Sequence, residues 1–362
     1  MITCELLVIG AGPAGLCSAI TAAKSGASVV VLERSPDIGG QLIKQTHMFF
    51  GSKEQHASTR GVDIAEILRE EIARYDIKLM LDTTALGIYE DGMVTALYKE
   101  EEYMKFKPGA IIVATGACER FLAFPNNDLP GVCGAGAVQT LMNVYGIMPA
   151  KDVVMLGAGN IGLIVSYQLM QAGVNVKCIL DAAPKIGGYL VHASKVARMG
   201  VPIKTSHTVK RAIGEDHLTA VEIVALDDKF NQIPGTEEII PADTLCVSVG
   251  LTPLCELLAM AGCKLSYIPQ LGGMVPLKTG EYETSVPNIF VAGDTSGVEE
   301  ASAAMVEGHI AGLCAAKRLG HIPEDFDAQY SSLNRQLMAL RSGPAGEHIR
   351  QGLASACLNK EA

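Results

Sequence analysis

The chain has 362 residues and a formal net charge of −10, with no tryptophan and abundant glycine. That length accommodates two ordinary domains and a short tail. An acidic balance without a basic block argues against nucleic acid or an anionic membrane surface as partners, and no apolar run reaches the length of a membrane span.

In chain order, residues 4–9 form an apolar run short enough for a buried strand. It opens almost at the first residue, which leaves no room for a secretory signal. Gly10-Ala11-Gly12-Pro13-Ala14-Gly15 follows at once. Small and apolar residues over 16–23 predict a helix that Gly26 ends, and residues 27–32 predict a second strand closed by Glu33. Strand, G-x-G-x-x-G, helix, strand and acid together make a dinucleotide fingerprint. The first glycine serves the tight turn, the second lets backbone approach a diphosphate, and the third lets helix and strand pack closely. The helix start offers free N–H groups to the diphosphate, and the acid accepts from a ribose hydroxyl.

The pattern recurs about one domain length later. Residues 152–156 are a short apolar strand, Gly157-Ala158-Gly159-Asn160-Ile161-Gly162 is the turn, and residues 163–171 are helical in pattern. Gly173 stops that helix, residues 174–180 form the next strand, and Asp181 ends it. An acid here repels a 2′-phosphate, so NAD is favoured over NADP. No arginine lies just beyond Asp181, and the next basic residue is Lys185.

The ten cysteines are Cys4, Cys17, Cys118, Cys133, Cys178, Cys246, Cys255, Cys263, Cys314 and Cys357. None stands at C-x-x-C spacing, and most lie among apolar or small residues, as buried reduced thiols of a cytoplasmic protein would. Cys255 and Cys263 are a candidate meeting pair, though core thiols are the simpler expectation. Histidine spacing suggests no metal site.

Taken together, these motifs resemble the flavoproteins with two dinucleotide-binding domains, the class that includes thioredoxin reductase. That resemblance implies FAD at the first fingerprint, contacted by Gly10, Gly12, Pro13, Ala14, Gly15, Glu33 and Arg34. Gly39-Gly40-Gln41-Leu42 is similar to the segment beside the flavin ring, and Ala114-Thr115-Gly116 to the crossover motif. The run from Asn288 through Gly293-Asp294 is similar to the closing FAD motif, whose aspartate binds the ribityl chain. Glu300 and Ala301 fall in the helical stretch 297–312, whose N-terminus points at the flavin in this class. Gly157, Gly159, Asn160, Ile161, Gly162 and Asp181 are the implied NAD contacts. Gly250 joins them from Ser248-Val249-Gly250-Leu251-Thr252-Pro253, which resembles the motif closing that domain. The implied fold is α/β, with two Rossmann-like domains in a thioredoxin-reductase-like arrangement. Residues 1–124 and 266–325 form a discontinuous FAD domain, residues 125–265 an inserted NAD domain, and residues 326–362 a tail.

A narrower resemblance rests on Gly116-Ala117-Cys118-Glu119-Arg120 and its continuation through Gly134-Ala135-Gly136-Ala137-Val138-Gln139. This is similar to the FAD/NAD-binding alpha-type subunits of sarcosine oxidase, hydrogen cyanide synthase, opine oxidases and dye-linked proline or hydroxyproline dehydrogenases. It implies an oligomer in which an amine-oxidase-type flavoprotein, a small iron–sulfur protein, or both are partner subunits. Several relatives carry a C-terminal [2Fe–2S] domain, whereas residues 323–362 hold only Cys357 and cannot bind a cluster that wants four cysteines. Arg335, Arg341, His348 and Arg350 in this tail either dock a partner or form a solvated face.

The position of a redox cysteine pair in glutathione reductase-like enzymes reads Gln41-Leu42-Ile43-Lys44-Gln45-Thr46-His47, so a flavin-to-disulfide relay is not expected. Lys44 and His47, in the stretch 41–53, are the candidate catalytic groups. The lysine would stabilise reduced anionic flavin and the histidine would donate a proton. Both are also readable as ordinary polar residues lining the FAD groove, the simpler expectation for His47, and Arg60 is a candidate phosphate or substrate contact. The expected activity is FAD-dependent hydride exchange with NAD(H), in an amine or amino-acid dehydrogenase or oxidase built of several subunits. A stand-alone NADH oxidase or quinone/ferredoxin reductase, and an FAD-binding scaffold with a silent NAD domain, stay open.

Overall fold

The computed structural model describes residues 1–49 and 51–358. Phe50, inside the stretch 41–53, and the last four residues of the tail lie outside the described residues. The chain divides into two compact units, residues 1–118 with 252–362, and residues 119–251. These borders differ from the expected 124/125 and 265/266, so residues 119–124 group with the inserted unit and 252–265 with the discontinuous one.

The discontinuous unit is built on β1 (Ile2–Ile9), α1 (Pro13–Lys24), β2 (Val29–Leu32), α2 (Gly61–Ile72), β3 (Ile77–Met80), β4 (Thr83–Ile88), β5 (Val94–Tyr98) and β6 (Glu102–Val113). Their sheet order is β3-β2-β1-β6-β5-β4, and strand Ile289–Val291 also pairs with β6. β6 is long enough to serve twice. Its first half pairs antiparallel with β5, and its last residues run parallel to Ile289–Val291. β1 is apolar on both faces because both are covered. Leu6 and Val8 pack with α1 and the helix Ala301–Arg318, while Leu7 and Ile9 pack with Val30, Leu32 and Ile289.

Small residues set the spacing of α1 and Ala301–Arg318. A Cβ at Gly308 would stand 2.2 Å from Ala14 O, and one at Gly312 would stand 2.3 Å from Ser18 O. Ser18 turns its hydroxyl back onto Ala14 O at 2.8 Å, which satisfies that buried hydroxyl within its own helix. The helix starts at Ala301, after a one-turn 3₁₀ segment Gly293–Ser296, and runs to Arg318. It is therefore later and longer than the stretch 297–312 expected. The tail continues as helices Phe326–Leu340 and Gly343–Ser355.

The inserted unit has a five-stranded parallel sheet in the order Ile203–Thr205, Asn175–Asp181, Asp152–Leu156, Thr244–Val247, Val132–Gly134. A three-stranded antiparallel sheet, His207–Gly214, Leu218–Ala225 and Glu238–Pro241, covers part of one face through Val221 and Ile223. Helix Asn160–Gln171 covers the other through Leu163 and Leu169. No helix among the described residues is long and apolar enough to cross a membrane.

Candidate functional site

Both fingerprints fold into the same device. In the discontinuous unit Gly10 takes φ +103°, and a Cβ on Gly15 would stand 1.9 Å from Gly10 O. In the inserted unit Gly157 takes φ +112°, and a Cβ on Gly162 would stand 2.0 Å from Gly157 O. The outer glycines are thus demanded by the turn itself. The middle ones are not. A Cβ on Gly159 would meet nothing within 4 Å, and one on Gly12 only Gly40 Cα at 4.0 Å. The side chain that Gly12 and Gly159 lack would fill the space in front of the helix start, where backbone N–H groups have no side-chain cap. Such a helix start can receive an anion the size of a diphosphate.

The acids latch these turns. Glu33 Oε2 accepts from Ala11 N at 2.8 Å and Oε1 from Ser35 N at 2.8 Å. Asp181 Oδ2 accepts from Ala158 N at 2.8 Å and Oδ1 from Ala183 N at 2.9 Å. Each carboxylate thereby fixes the amide that follows the first fingerprint glycine. Its remaining lone pairs match the ribose-hydroxyl role expected of it. Arg34, beside Glu33, is exposed.

The other motifs of the discontinuous unit meet at the ends of β1 and β6. Gly39 N donates to Ala11 O at 2.8 Å and begins the 3₁₀ turn Gly40–Lys44, which exposes Gln41 and buries Leu42. The crossover and closing motifs are locked by Thr295. Its hydroxyl accepts from Gly116 N at 2.7 Å and lies 3.2 Å from the Thr115 hydroxyl. Asp294, next to it, is part-buried, and its carboxylate takes one long bond among the described residues, from Glu299 N at 3.4 Å. Burial, with Glu307, Glu299 and Glu300 nearby, pushes its carboxyl up to about 7. A carboxylate so short of donors fits the ribityl hydroxyl that the closing motif implies. Glu300 is the N-cap and Ala301 the first residue of the long helix.

Lys44, His47 and Arg60 lie together on one loop pair. Lys44 ends the 3₁₀ turn, the His47 ring stacks on Phe49 at 5.7 Å, and Met48 bridges to Arg60, the residue preceding α2.

Beneath the closing motif lies a buried ionic cluster that no sequence motif announces. Glu307 accepts from Gly293 N at 3.0 Å, Ser296 Oγ at 2.7 Å, Tyr282 Oη at 3.0 Å and Arg341 Nη2 at 2.6 Å. Arg341 also grips Glu299 through Nε at 2.9 Å and Nη2 at 2.6 Å. Lys278 Nζ donates to Ser296 O at 3.0 Å over the Tyr282 ring. Burial pushes Glu307 up, but Lys278 and Arg341 outweigh it and hold the carboxyl below its ordinary value. Burial lowers Lys278. The expectation that Arg341 docks a partner or lines a solvated face is therefore corrected. It does neither, because two glutamates draw it beneath the closing motif. Arg350 does lie at the surface, paired with Glu347. The available signal for this cluster is Glu307 itself, a charge amid the small residues of the long helix.

The crossover segment has its own physical reason in the inserted unit. Glu119 Oε1 accepts from Gly136 N at 2.6 Å, at the start of helix Ala135–Asn143. Side chains at Gly134 or Gly136 would collide with that carboxylate. The ten cysteines are all free, with Cys118 and Cys357 exposed and Cys4 and Cys133 intermediate. Cys255 and Cys263 bond to different partners, the former to Met274 O and the latter to the Thr284 hydroxyl. Cys133 and Cys246, which no spacing links, are register neighbours on adjacent strands.

Fold and turns together are those of a flavoprotein with two Rossmann-like units. The chain belongs to the pyridine nucleotide-disulphide oxidoreductase family, whose model matches residues 4–308, and it is an FAD-dependent oxidoreductase. It is 29% identical to an opine oxidase subunit of Agrobacterium tumefaciens over 86% of this chain and 65% of that protein. It is 28% identical to the alpha subunit of sarcosine oxidase from Rhizobium meliloti over 72% of this chain and 26% of that one. The chain thus spans less than two thirds of either relative. The fold is that of thioredoxin reductase from T. acidophilum, with TM-score 0.71 and 22% identity over 88% of this chain and 99% of that one.

Proposed function

We propose that this chain is the FAD- and NAD(H)-binding subunit of an amine or amino-acid dehydrogenase or oxidase of several subunits, and that it moves hydride between flavin and NAD(H). The observation that carries this reading is the repeated latch, in which Glu33 and Asp181 each fix a fingerprint amide in front of an uncapped helix start. Gly12 and Gly159, which the turns themselves do not demand, leave open space in front of each helix start and support a dinucleotide in both units. The names of the relatives, a subunit of opine oxidase and a subunit of sarcosine oxidase, support the assignment to an assembly acting on substituted amino acids.

FAD, when bound, supplies a ring that takes up and returns a hydride. The residues of the chain have the rest of the task. Gly12 and the start of α1 receive its diphosphate, Glu33 its ribose and Asp294 its ribityl chain. The start of the helix at Ala301 presents a positive dipole end to charge developing on reduction. Lys44 and His47 are proposed to stabilise that charge and to carry a proton. In the inserted unit, Gly159 and the start of helix Asn160–Gln171 receive the NAD(H) diphosphate. Asp181 takes the ribose and disfavours a 2′-phosphate. The amine-oxidase-type flavoprotein or iron–sulfur protein is the partner that exchanges electrons with this subunit, in the cytoplasm.

Anaerobic titration of the FAD-loaded protein tests the reading. NADH should bleach the visible flavin band faster than NADPH does. No spectral change at saturating NADH would leave only a scaffold, and faster bleaching by NADPH would remove the role given to Asp181. High turnover with oxygen or a quinone by the chain alone would replace the assembly with a stand-alone enzyme.

A further inference from the structure

The internal duplication runs beyond the fingerprints. Pro36-Asp37-Ile38-Gly39-Gly40-Gln41-Leu42-Ile43 follows Glu33, and Pro184-Lys185-Ile186-Gly187-Gly188-Tyr189-Leu190-Val191 follows Asp181 at the same distance. In both units the glycine pair folds back on the fingerprint turn. Gly39 N donates to Ala11 O at 2.8 Å, and, one position later in the repeat, Gly188 N donates to Ala158 O at 2.9 Å. In both, the second glycine sits against the middle fingerprint glycine. A Cβ on Gly40 would lie 2.8 Å from Gly12 Cα, and one on Gly188 would lie 2.9 Å from Gly159 C.

After the glycines the copies part. Leu42 is wholly buried in its 3₁₀ turn, but its counterpart Leu190 opens helix Leu190–Arg198 and is 78% exposed. Val191 is 50% exposed and Tyr189 42%. Three successive apolar residues facing water are not accounted for by folding. Their position is fixed nonetheless. Asn160 Oδ1, on the fingerprint itself, accepts from Tyr189 N at 2.8 Å, and the His192 ring lies 6.3 Å from the Tyr189 ring. The proline that opens α1, Pro13, offers no such side-chain acceptor.

We infer that Tyr189, held by Asn160 and His192, forms a second wall of the nicotinamide-dinucleotide site in the inserted unit, its ring and the adjoining Leu190 covering the bound dinucleotide. The inference rests on the proposal that this unit binds NAD(H). The occupant is a dinucleotide because the exposed residues adjoin the fingerprint turn and the open space at Gly159. An amphipathic ring there suits the flat heterocycles and hydroxyls of such a ligand. Tyr189 is a binding residue and takes no part in hydride chemistry.

Calorimetric titration of the FAD-loaded full chain with NADH tests it, using wild type, Tyr189→Ala, Tyr189→Phe and Asn160→Ala. Tyr189→Ala should weaken NADH binding roughly tenfold, the value of one lost aromatic packing contact. Tyr189→Phe should bind like wild type, and Asn160→Ala should fall between. FAD content and thermal midpoint should not change in any of them. Wild-type affinity for NADH in Tyr189→Ala overturns the inference while leaving the NAD(H) site standing. Absence of NADH binding by wild type fails the functional reading itself, and this inference with it. Equal losses in Tyr189→Phe and Tyr189→Ala would assign the contact to the hydroxyl and overturn the ring's covering role, and a lowered thermal midpoint or loss of FAD would show a structural role and also overturn it.

Discussion

Replacing Asp294 by asparagine should stabilise the protein and weaken FAD binding at the same time. The carboxylate has one long hydrogen bond from Glu299 N, and burial with three neighbouring glutamates pushes it up to about 7 from 3.8. Between roughly pH 4 and pH 7 the folded FAD-free protein therefore holds a proton that the unfolded chain has released. Stability falls as pH rises through that window. At 1.36 kcal/mol per pH unit the cost at pH 8 is at most about 4 kcal/mol, reduced by whatever solvent reaches this part-buried group. The asparagine carries no such charge. Urea unfolding of FAD-free wild type and Asp294→Asn from pH 4.5 to 8 should show the variant gaining with pH, with most of the gain complete by pH 8. The substitution also turns a charge-assisted bond to the ribityl chain into a neutral one, so FAD should bind about 10- to 100-fold more weakly. A stability difference that does not vary with pH would refute the electrostatic account. Unchanged FAD affinity would refute the role given to Asp294.

Removing Arg341 should do the reverse for stability. Arg341→Met leaves Glu299 and Glu307 buried without their shared cation and should cost about 3–5 kcal/mol in urea unfolding. The double variant with Glu299→Gln should recover part of that loss, and a cost under about 1 kcal/mol would show the cluster to be idle. His309, whose Nδ1 lies 2.7 Å from the Thr21 hydroxyl, is lowered to about 4 by burial. Its unfolded form takes up a proton near pH 6.5 that the folded form refuses until about pH 4. Stability is therefore lost as pH falls across that range, by at most about 3 kcal/mol. His309→Gln should flatten the acid limb of the stability profile, and an unchanged limb would assign it to other groups.

The fingerprints and the α/β class are legible in the sequence because each depends on residues close together in the chain, whereas the discontinuous unit, which joins residues 1–118 to 252–362, is legible only through a family resemblance. A turn of φ near +100° needs glycine at positions 10 and 157. Helix-to-turn contact needs it at 15 and 162, and a short apolar run with covered faces must be a strand. The acids are legible for the same reason, although the bonds from Glu33 and Asp181 to the backbone of their own turns are not. Nothing local hints that Thr295 reaches residue 116, since that bond spans 179 positions. Arg341 escapes a sequence reading because a lone arginine in a helical tail has the pattern of a surface charge. Only the meeting of two distant glutamates makes it a buried one.

The division between the legible and the hidden also separates the two sites physically. The described bonds to Glu307 all come from within the discontinuous unit: Gly293, Ser296, Tyr282 and, from the tail, Arg341. Residues 326–358 are thus tied through Arg341 to the motif that holds Asp294, and through Lys278 to Ala356 and Leu358, whose backbones pair with it. A tail that carries no motif falls outside both domains when only its sequence is considered. Its bonds make it a brace for the proposed FAD site. The fingerprint turn of the inserted unit has no comparable buried cluster among the described residues, and Tyr189 and Leu190 beside it remain open to solvent. Burial on one side suits a cofactor that stays through many turnovers. Exposure on the other suits a nucleotide that must arrive and leave in each one, because a site closed by buried ion pairs would have to break them at every exchange.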